Sequence, residues 1–116
     1  YHQPTVFLFK DDSSVVCKEE IFGPVLAIIP FSSDEEAITI ANNVDYGLAA
    51  TVYSENRQRI FKTIRQLESG TVWANCNFKF NMHMPWGGPK STGIGREFGK
   101  YAMKPYLQEK NIWIGN

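Results

Sequence analysis

The stretch best equipped for chemistry is Glu19-Glu20-Ile21-Phe22-Gly23-Pro24-Val25, which leads into an apolar run ending at Phe31. Two carboxylates beside an aromatic ring make neither a good strand nor a good helix. Pro24 lacks an N–H and Gly23 turns where other residues cannot. The run therefore reads as a shaped loop that delivers charge and a ring to the edge of a buried strand. The plainer alternative is an acidic turn with Phe22 tucked into the core.

A second group is Phe78, Phe80, Met82, Met84 and Trp86, apolar residues at alternate positions in a stretch without strand boundaries. They suit a pocket lining or a core edge, and spacing alone favours the core. The glycine-rich segment that follows is not a phosphate loop, because Pro89 precedes Lys90 where that motif needs Gly-Lys-Ser/Thr opening a helix. Gly93-Ile94-Gly95 lacks the third glycine of a dinucleotide fingerprint and follows no strand, which leaves close backbone packing as its reading. Cys76 has only His83 nearby as a base, at an unsuitable spacing, and reads as structural. Cys17 and Cys76 show no metal spacing; reduced thiols of a cytoplasmic protein are favoured over a single disulfide. His2 and His83 have no partner at ligand spacing.

Length and composition bound the frame for these groups. A chain of 116 residues with 43% hydrophobic content is one compact domain or a piece of a larger one. Zero formal net charge argues against nucleic acid or a membrane surface as partner. No repeat or low-complexity tract occurs, no apolar run is long enough for a bilayer, and no signal peptide is recognised in the chain, which begins Tyr1-His2-Gln3-Pro4 without an initiator methionine.

Hydrophobic periodicity supplies the elements that must position these groups. Residues 3–9 are β-rich, 10–14 form a turn, and 15–17 suit a short extended stretch. Val25 to Phe31 suits a strand buried on both faces. Ser32 with Glu35, or Ser33 with Glu36, has the spacing of a capping box for a helix that Asn42-Asn43 stops. Residues 49–53 form the next strand. Ser54 is the expected N-cap of a helix carrying Ile60, Phe61, Ile64 and Leu67, and Gly70 its C′ glycine. Residues 71–74 return as a strand, which predicts a βαβαβ unit with a parallel sheet and hence an α/β fold. Arg96 to Met103 reads as a short helix, and the tail to Ile114 as a terminal strand that needs a partner.

The acidic signature resembles, residue for residue, one of the aldehyde dehydrogenase superfamily. Tyr46-Gly47-Leu48-Ala49-Ala50, Gly70-Thr71-Val72-Trp73-Ala74-Asn75, Pro85-Trp86-Gly87-Gly88 and Ser91-Thr92-Gly93-Ile94-Gly95-Arg96-Glu97 follow in that family's order and spacing. The resemblance runs from Gln3 to Asn116 and covers the C-terminal quarter of such an enzyme. It implies residues 1–104 as part of a catalytic domain and 105–116 as a tail that joins a homo-oligomer through its terminal strand.

The resemblance also implies site roles. Glu20 would hydrogen-bond the ribose hydroxyls of NAD or NADP, and Phe22 would pack beside the nicotinamide. Trp86, Phe78 and Phe80 would wall the tunnel of an aldehyde substrate. Pro-Trp-Gly-Gly is similar to the betaine-aldehyde and aminoaldehyde branch, where the indole faces a substrate cation. Lys90 and Gly93 would offer backbone oxygens to potassium. Glu97 would join a charge relay, although a structural Arg96–Glu97 role is the stronger expectation. The family's Gly-Gln-x-Cys nucleophile, its general-base glutamate and its dinucleotide phosphate site are not in this chain, so the 116 residues alone are expected not to turn over.

Overall fold

The computed structural model describes residues 1–116. In chain order it contains β1 (Thr5–Leu8), α1 (Val15–Lys18), β2 (Val25–Ile28), α2 (Asp34–Asn42), β3 (Ala49–Val52), α3 (Arg57–Ile64) and β4 (Thr71–Ala74). Single 3-10 turns follow at Gly99–Tyr101 and Lys104–Tyr106. β1 lies parallel to β2, with Thr5 opposite Val25 and Leu8 opposite Ile28. β3 lies parallel to β4, with Ala49 opposite Thr71 and Val52 opposite Ala74. The fold is α/β with parallel pairs, as the sequence predicts, but the strands form two two-stranded sheets rather than one. The crossovers are β1–α1–β2 and β3–α3–β4, and α2 carries the chain between sheets. Apolar runs identify strands but do not say which strand lies beside which.

Helix α2 starts as its residues dictate. Ser33 Oγ accepts from the Glu36 N–H at 3.1 Å, while the Glu36 carboxylate accepts from the Ser32 N–H at 2.7 Å. Those two donors from Ser32, hydroxyl and amide, hold the Glu36 carboxyl below its usual range. At the other end, Lys18 Nζ donates to the Asn43 carbonyl at 2.6 Å and Lys90 Nζ to the carbonyls of Asn42 (2.6 Å) and Val44 (3.1 Å). Two cations thus meet the negative end of the helix dipole.

Several local expectations are corrected. Val15–Lys18 is a helical turn, not extended: Ser14 Oγ caps it through the Val16 N–H, and Lys18 is pulled onto Asp12 and Asn43. α3 is capped by Asn56, whose side chain accepts from the Arg59 N–H; Ser54 supports the cap by accepting from the Asn56 N–H. Leu26 and Ile28 leave one face of β2 exposed, so β2 is not covered on both faces here. Arg96 to Met103 does not form an α-helix, because Arg96 and Glu97 bond to the Gly87–Gly88 segment and to Trp86, and Phe98 and Gly99 turn with φ of 60° and 56°. Residues 108–116 make no hydrogen bond within the monomer, so the expected terminal strand is unpaired.

Gly70 is also not a C′ glycine, since α3 ends at Ile64 with Arg65 as its cap. Its role is close approach. A Cβ on Gly70 would lie 1.6 Å from the Gly87 carbonyl oxygen, one on Gly88 2.2 Å from that of Gly47, and one on Gly47 2.4 Å from that of Glu68. The Gly70 N–H donates to the Gly47 carbonyl at 2.8 Å, immediately ahead of the β3–β4 ladder.

Only five of the 116 residues are buried: Ile38, Gly47, Ile60, Trp73 and Gly88. The radius of gyration is 18.9 Å, against roughly 13 Å for a compact domain of this length. The β1–β2 sheet is largely bare, with Val6, Phe7, Leu8, Leu26 and Ile28 exposed, whereas the β3–β4 sheet is mostly half-buried around Trp73. No helix is long and apolar enough to cross a membrane.

Two outcomes follow from this packing. Gly70→Ala is expected to destabilise by about 3 kcal/mol or to abolish folding, whereas Gly115→Ala, in open space, leaves the denaturation midpoint unchanged. The second concerns Asp12, which accepts from Lys18 Nζ (2.5 Å) and the Asn43 amide (2.6 Å), and whose carboxyl is held below its usual range first by Lys18 and then by Asn43. Because the folded pKa is depressed, its contribution is present above the unfolded value of about 4 and is lost as pH falls through the folded value. The Asn43 side-chain amide resonance should therefore hold steady above about pH 4 and move to its free position below it. Asp12→Asn should show the free position already at neutral pH.

Candidate functional site

The loop between α1 and β2 presents Glu20 and Phe22 to solvent. Glu20 makes no hydrogen bond or ion pair in this chain, so its carboxylate is available to a ligand. Phe22 is 92% exposed with φ of 52°, a left-handed conformation that aromatic residues rarely adopt. The turn pushes the ring outward. The reading of Phe22 as a core residue is thereby corrected for this chain.

Across the β3–β4 sheet, Phe78, Phe80 and Trp86 do come together, around Trp73. Ring centroids lie 4.8 Å apart for Phe80 and Trp86, 5.8 Å for Trp73 with each phenylalanine, and 6.2 Å for the two indoles. The Phe80–Trp86 and Trp73–Phe80 pairs are edge-to-face, the arrangement aromatic quadrupoles prefer. Phe78 has φ of 52° and is mostly exposed. A cavity of about 370 Å³ opens beside it, with Leu48, Ala50, Thr51, Asn77 and Trp86 on its wall. The cluster is thus a core edge on one side and a pocket lining on the other. Trp73 was not singled out by residue spacing. The available signal was chemical: a buried indole N–H must find an acceptor, and here the acceptor lies in the aromatic loop, the Lys79 carbonyl at 2.9 Å.

Trp86 is held from its far side by Glu97, with backbone bonds of 2.7 and 2.8 Å in the two directions. The Glu97 carboxylate has no ion-pair partner in this chain, while Arg96 Nη1 donates to the carbonyls of Gly88 (3.0 Å) and Gly95 (2.8 Å). Both residues therefore bond to the Trp86–Gly88 backbone. Lys90 has φ of 59° and sends its ammonium to α2 and to Glu68 at 2.8 Å; Gly93, with φ of 144°, has open space around it. Neither carbonyl accepts a hydrogen bond. Nothing joins Glu20 or Phe22 to the aromatic cluster: no hydrogen bond, ring pair or common cavity. Cys17 and Cys76 are both unpaired and half-buried. No cluster of His, Cys, Asp and Glu side chains suits a metal.

Phe22, Phe78 and Lys90 are three of the five non-glycine residues with positive φ. Each costs of order 1 kcal/mol in backbone strain, and such strain collects where a side chain must be aimed.

Comparison with known proteins gives this geometry a context. The family model described as the aldehyde dehydrogenase family matches residues 1–112. The 2-aminomuconic semialdehyde dehydrogenase of Bos taurus is 47% identical over 111 residues, covering 96% of this chain and 23% of the relative. A betaine aldehyde dehydrogenase of Cereibacter sphaeroides is 42% identical over 115 residues, 99% of this chain and 24% of the relative. Among solved structures, the indole-3-acetaldehyde dehydrogenase of P. syringae, in complex with NAD+ and IAA, superposes with a TM-score of 0.91 at 41% identity, covering 98% of this chain and 23% of that one. The NAD+ complex of betaine aldehyde dehydrogenase from Staphylococcus aureus gives 0.85 at 40% identity, covering 90% and 21%. The chain spans about a quarter of the length of the curated relatives it matches. On that evidence the chain belongs to the aldehyde dehydrogenase family.

Proposed function

We propose that these residues are the C-terminal segment of an NAD(P)-dependent aldehyde dehydrogenase that oxidises an aldehyde to its carboxylate. The observation that carries this reading is the match over residues 1–112 combined with two displayed half-sites, the open Glu20–Phe22 loop and the Trp86 cluster. NAD(P), when bound, supplies the hydride acceptor. Glu20 accepts hydrogen bonds from its ribose hydroxyls, a fit supported by a carboxylate without a protein partner. Phe22 limits the travel of the nicotinamide ring, a role supported by its outward left-handed turn.

Trp86, Phe78 and Phe80 wall the aldehyde tunnel and exclude water from it. An indole face attracts a quaternary ammonium by about 0.5–2 kcal/mol, which favours betaine aldehyde or another aminoaldehyde as substrate. The carbonyls of Lys90 and Gly93, free of hydrogen bonds, suit potassium. Glu97, whose carboxylate is likewise unpaired, serves a charge relay in the whole enzyme. Residues 105–116 form an oligomer tail, supported by nine terminal residues without internal hydrogen bonds (108–116). The setting proposed is cytoplasmic, on the sequence preference of two cysteines without pairing or metal spacing for the reduced state. The cysteine nucleophile and general base belong to the rest of the polypeptide, so this chain by itself is inactive.

A second reading, a non-catalytic module that associates with itself, is favoured by one observation: the bare β1–β2 sheet on a chain with five buried residues. The two readings separate in one assay of NAD+ reduction with betaine aldehyde. A longer chain read from the same frame turns over and the 116 residues do not. In that longer chain Glu20→Gln raises the KM for NAD+ about tenfold, equivalent to ~1.4 kcal/mol. Trp86→Leu raises the KM for betaine aldehyde more than that for a neutral aldehyde of equal size. Turnover by the short chain overturns the proposal, and a reading frame that begins with this segment favours the module.

A further inference from the structure

Residues 76–80 form the weakest-tethered part of the aromatic wall. Asn75 and Phe78 turn through left-handed conformations on either side of Cys76 and Asn77. The Phe78 N–H finds only the neighbouring Asn77 side chain, and Thr51 holds Asn77 by its side chain alone. One bond joins the main chain of this stretch to a strand: Trp73 Nε1–H to the Lys79 carbonyl, 2.9 Å. Trp73 itself sits on β4, only 8% exposed, one of three buried apolar residues in the chain.

The same indole touches every ring of the wall. Phe78 lies 5.8 Å away at 38°, Phe80 at 5.8 Å and 81°, Trp86 at 6.2 Å and 39°. Phe80 also meets Trp86 edge-to-face at 4.8 Å, but Trp73 is the one ring that reaches Phe78, Phe80 and Trp86 and also tethers the main chain of the loop. The Trp86 main chain is held by Glu97, and its ring lies between Phe80 at 4.8 Å and Trp73 at 6.2 Å, so Trp73 bears on that ring both directly and through Phe80.

We infer that Trp73 is a positioning residue for substrate selection: its N–H pins Lys79 and its ring faces orient Phe78, Phe80 and Trp86. It acts through these rings and does not react. The substrate part of this inference rests on the reading of Trp86 as a tunnel wall; the positioning part does not.

The test uses the longer enzyme with 5-fluorotryptophan placed at position 86 alone. Two variants are compared with it: Trp73→Phe, and the isosteric benzothienylalanine at position 73, which replaces the N–H by sulfur while keeping the shape. In both, the fluorine resonance at position 86 broadens or splits, the KM for benzaldehyde rises about tenfold, and kcat stays within twofold. An unchanged KM for NAD+ shows that the enzyme is folded, and the isostere keeps the test valid should Trp73→Phe not fold. A fluorine signal identical to the parent's in the isosteric variant overturns the inference. So does an equal fall in kcat for every aldehyde, the mark of a merely structural residue. An altered fluorine signal with unchanged KM values supports Trp73 as the residue that positions Trp86, and overturns the tunnel-wall reading instead.

Discussion

Three stretches of main chain meet at Gly47, Gly70 and Gly88 more closely than any side chain would allow. Gly47 lies just ahead of β3, Gly70 just ahead of β4, and Gly88 just beyond Trp86. The Gly70 N–H bond to the Gly47 carbonyl starts the parallel ladder, and the Gly87 carbonyl lies against Gly70 where a Cβ would stand. The register of β3 on β4 and the height at which Trp86 sits over the sheet are therefore fixed by one backbone contact. Lys90 and Arg96 reinforce it from outside, Lys90 by reaching carbonyls at the end of α2 and Arg96 by holding the Gly88 carbonyl. Hydrogen bonds of this kind, with a charged donor, are the stronger class.

This contact divides the molecule's chemistry in two. The β3–β4 sheet and the Gly87–Glu97 segment hold the aromatic cluster, while Glu20 and Phe22 stand on a loop belonging to the other sheet. The link between the halves is polar: Asp12, Lys18 and Asn43 join the α1 turn to the end of α2. The Glu20–Phe22 loop and the aromatic cluster thus stand apart in this chain, with no bond or ring contact between them. The β1–β2 sheet is also left bare. With five buried residues, the chain leaves most of the apolar surface of β1 and β2 exposed.

Much of the fold was legible in the residues. The serine-glutamate start of α2, its asparagine stop, the four strands and the parallel α/β class all appear where local patterns put them. The misses have a common form. Val15–Lys18 looks extended by β-propensity but is drawn into a helical turn by Ser14 and by the distant Asn43. Arg96–Met103 looks helical, but its first two residues are spent on Gly88 and Trp86. Gly70 looks like a helix end but answers to Gly87. In each case a contact more than ten residues away outweighed a local preference of less than about 1 kcal/mol per residue.

The site divides in the same manner. By itself the sequence determined which groups are available: a carboxylate and ring in a Gly-Pro loop, a run of aromatics, a glycine-rich turn, and a family signature joining them. These depend on residue type and near-neighbour spacing, which the sequence states directly. Only the tertiary structure decided that Phe22 turns outward, that Phe78, Phe80 and Trp86 converge on Trp73, and that the strands pair as two sheets. Those outcomes depend on which buried donor finds which acceptor and where one backbone can touch another, and both are settled by packing in three dimensions.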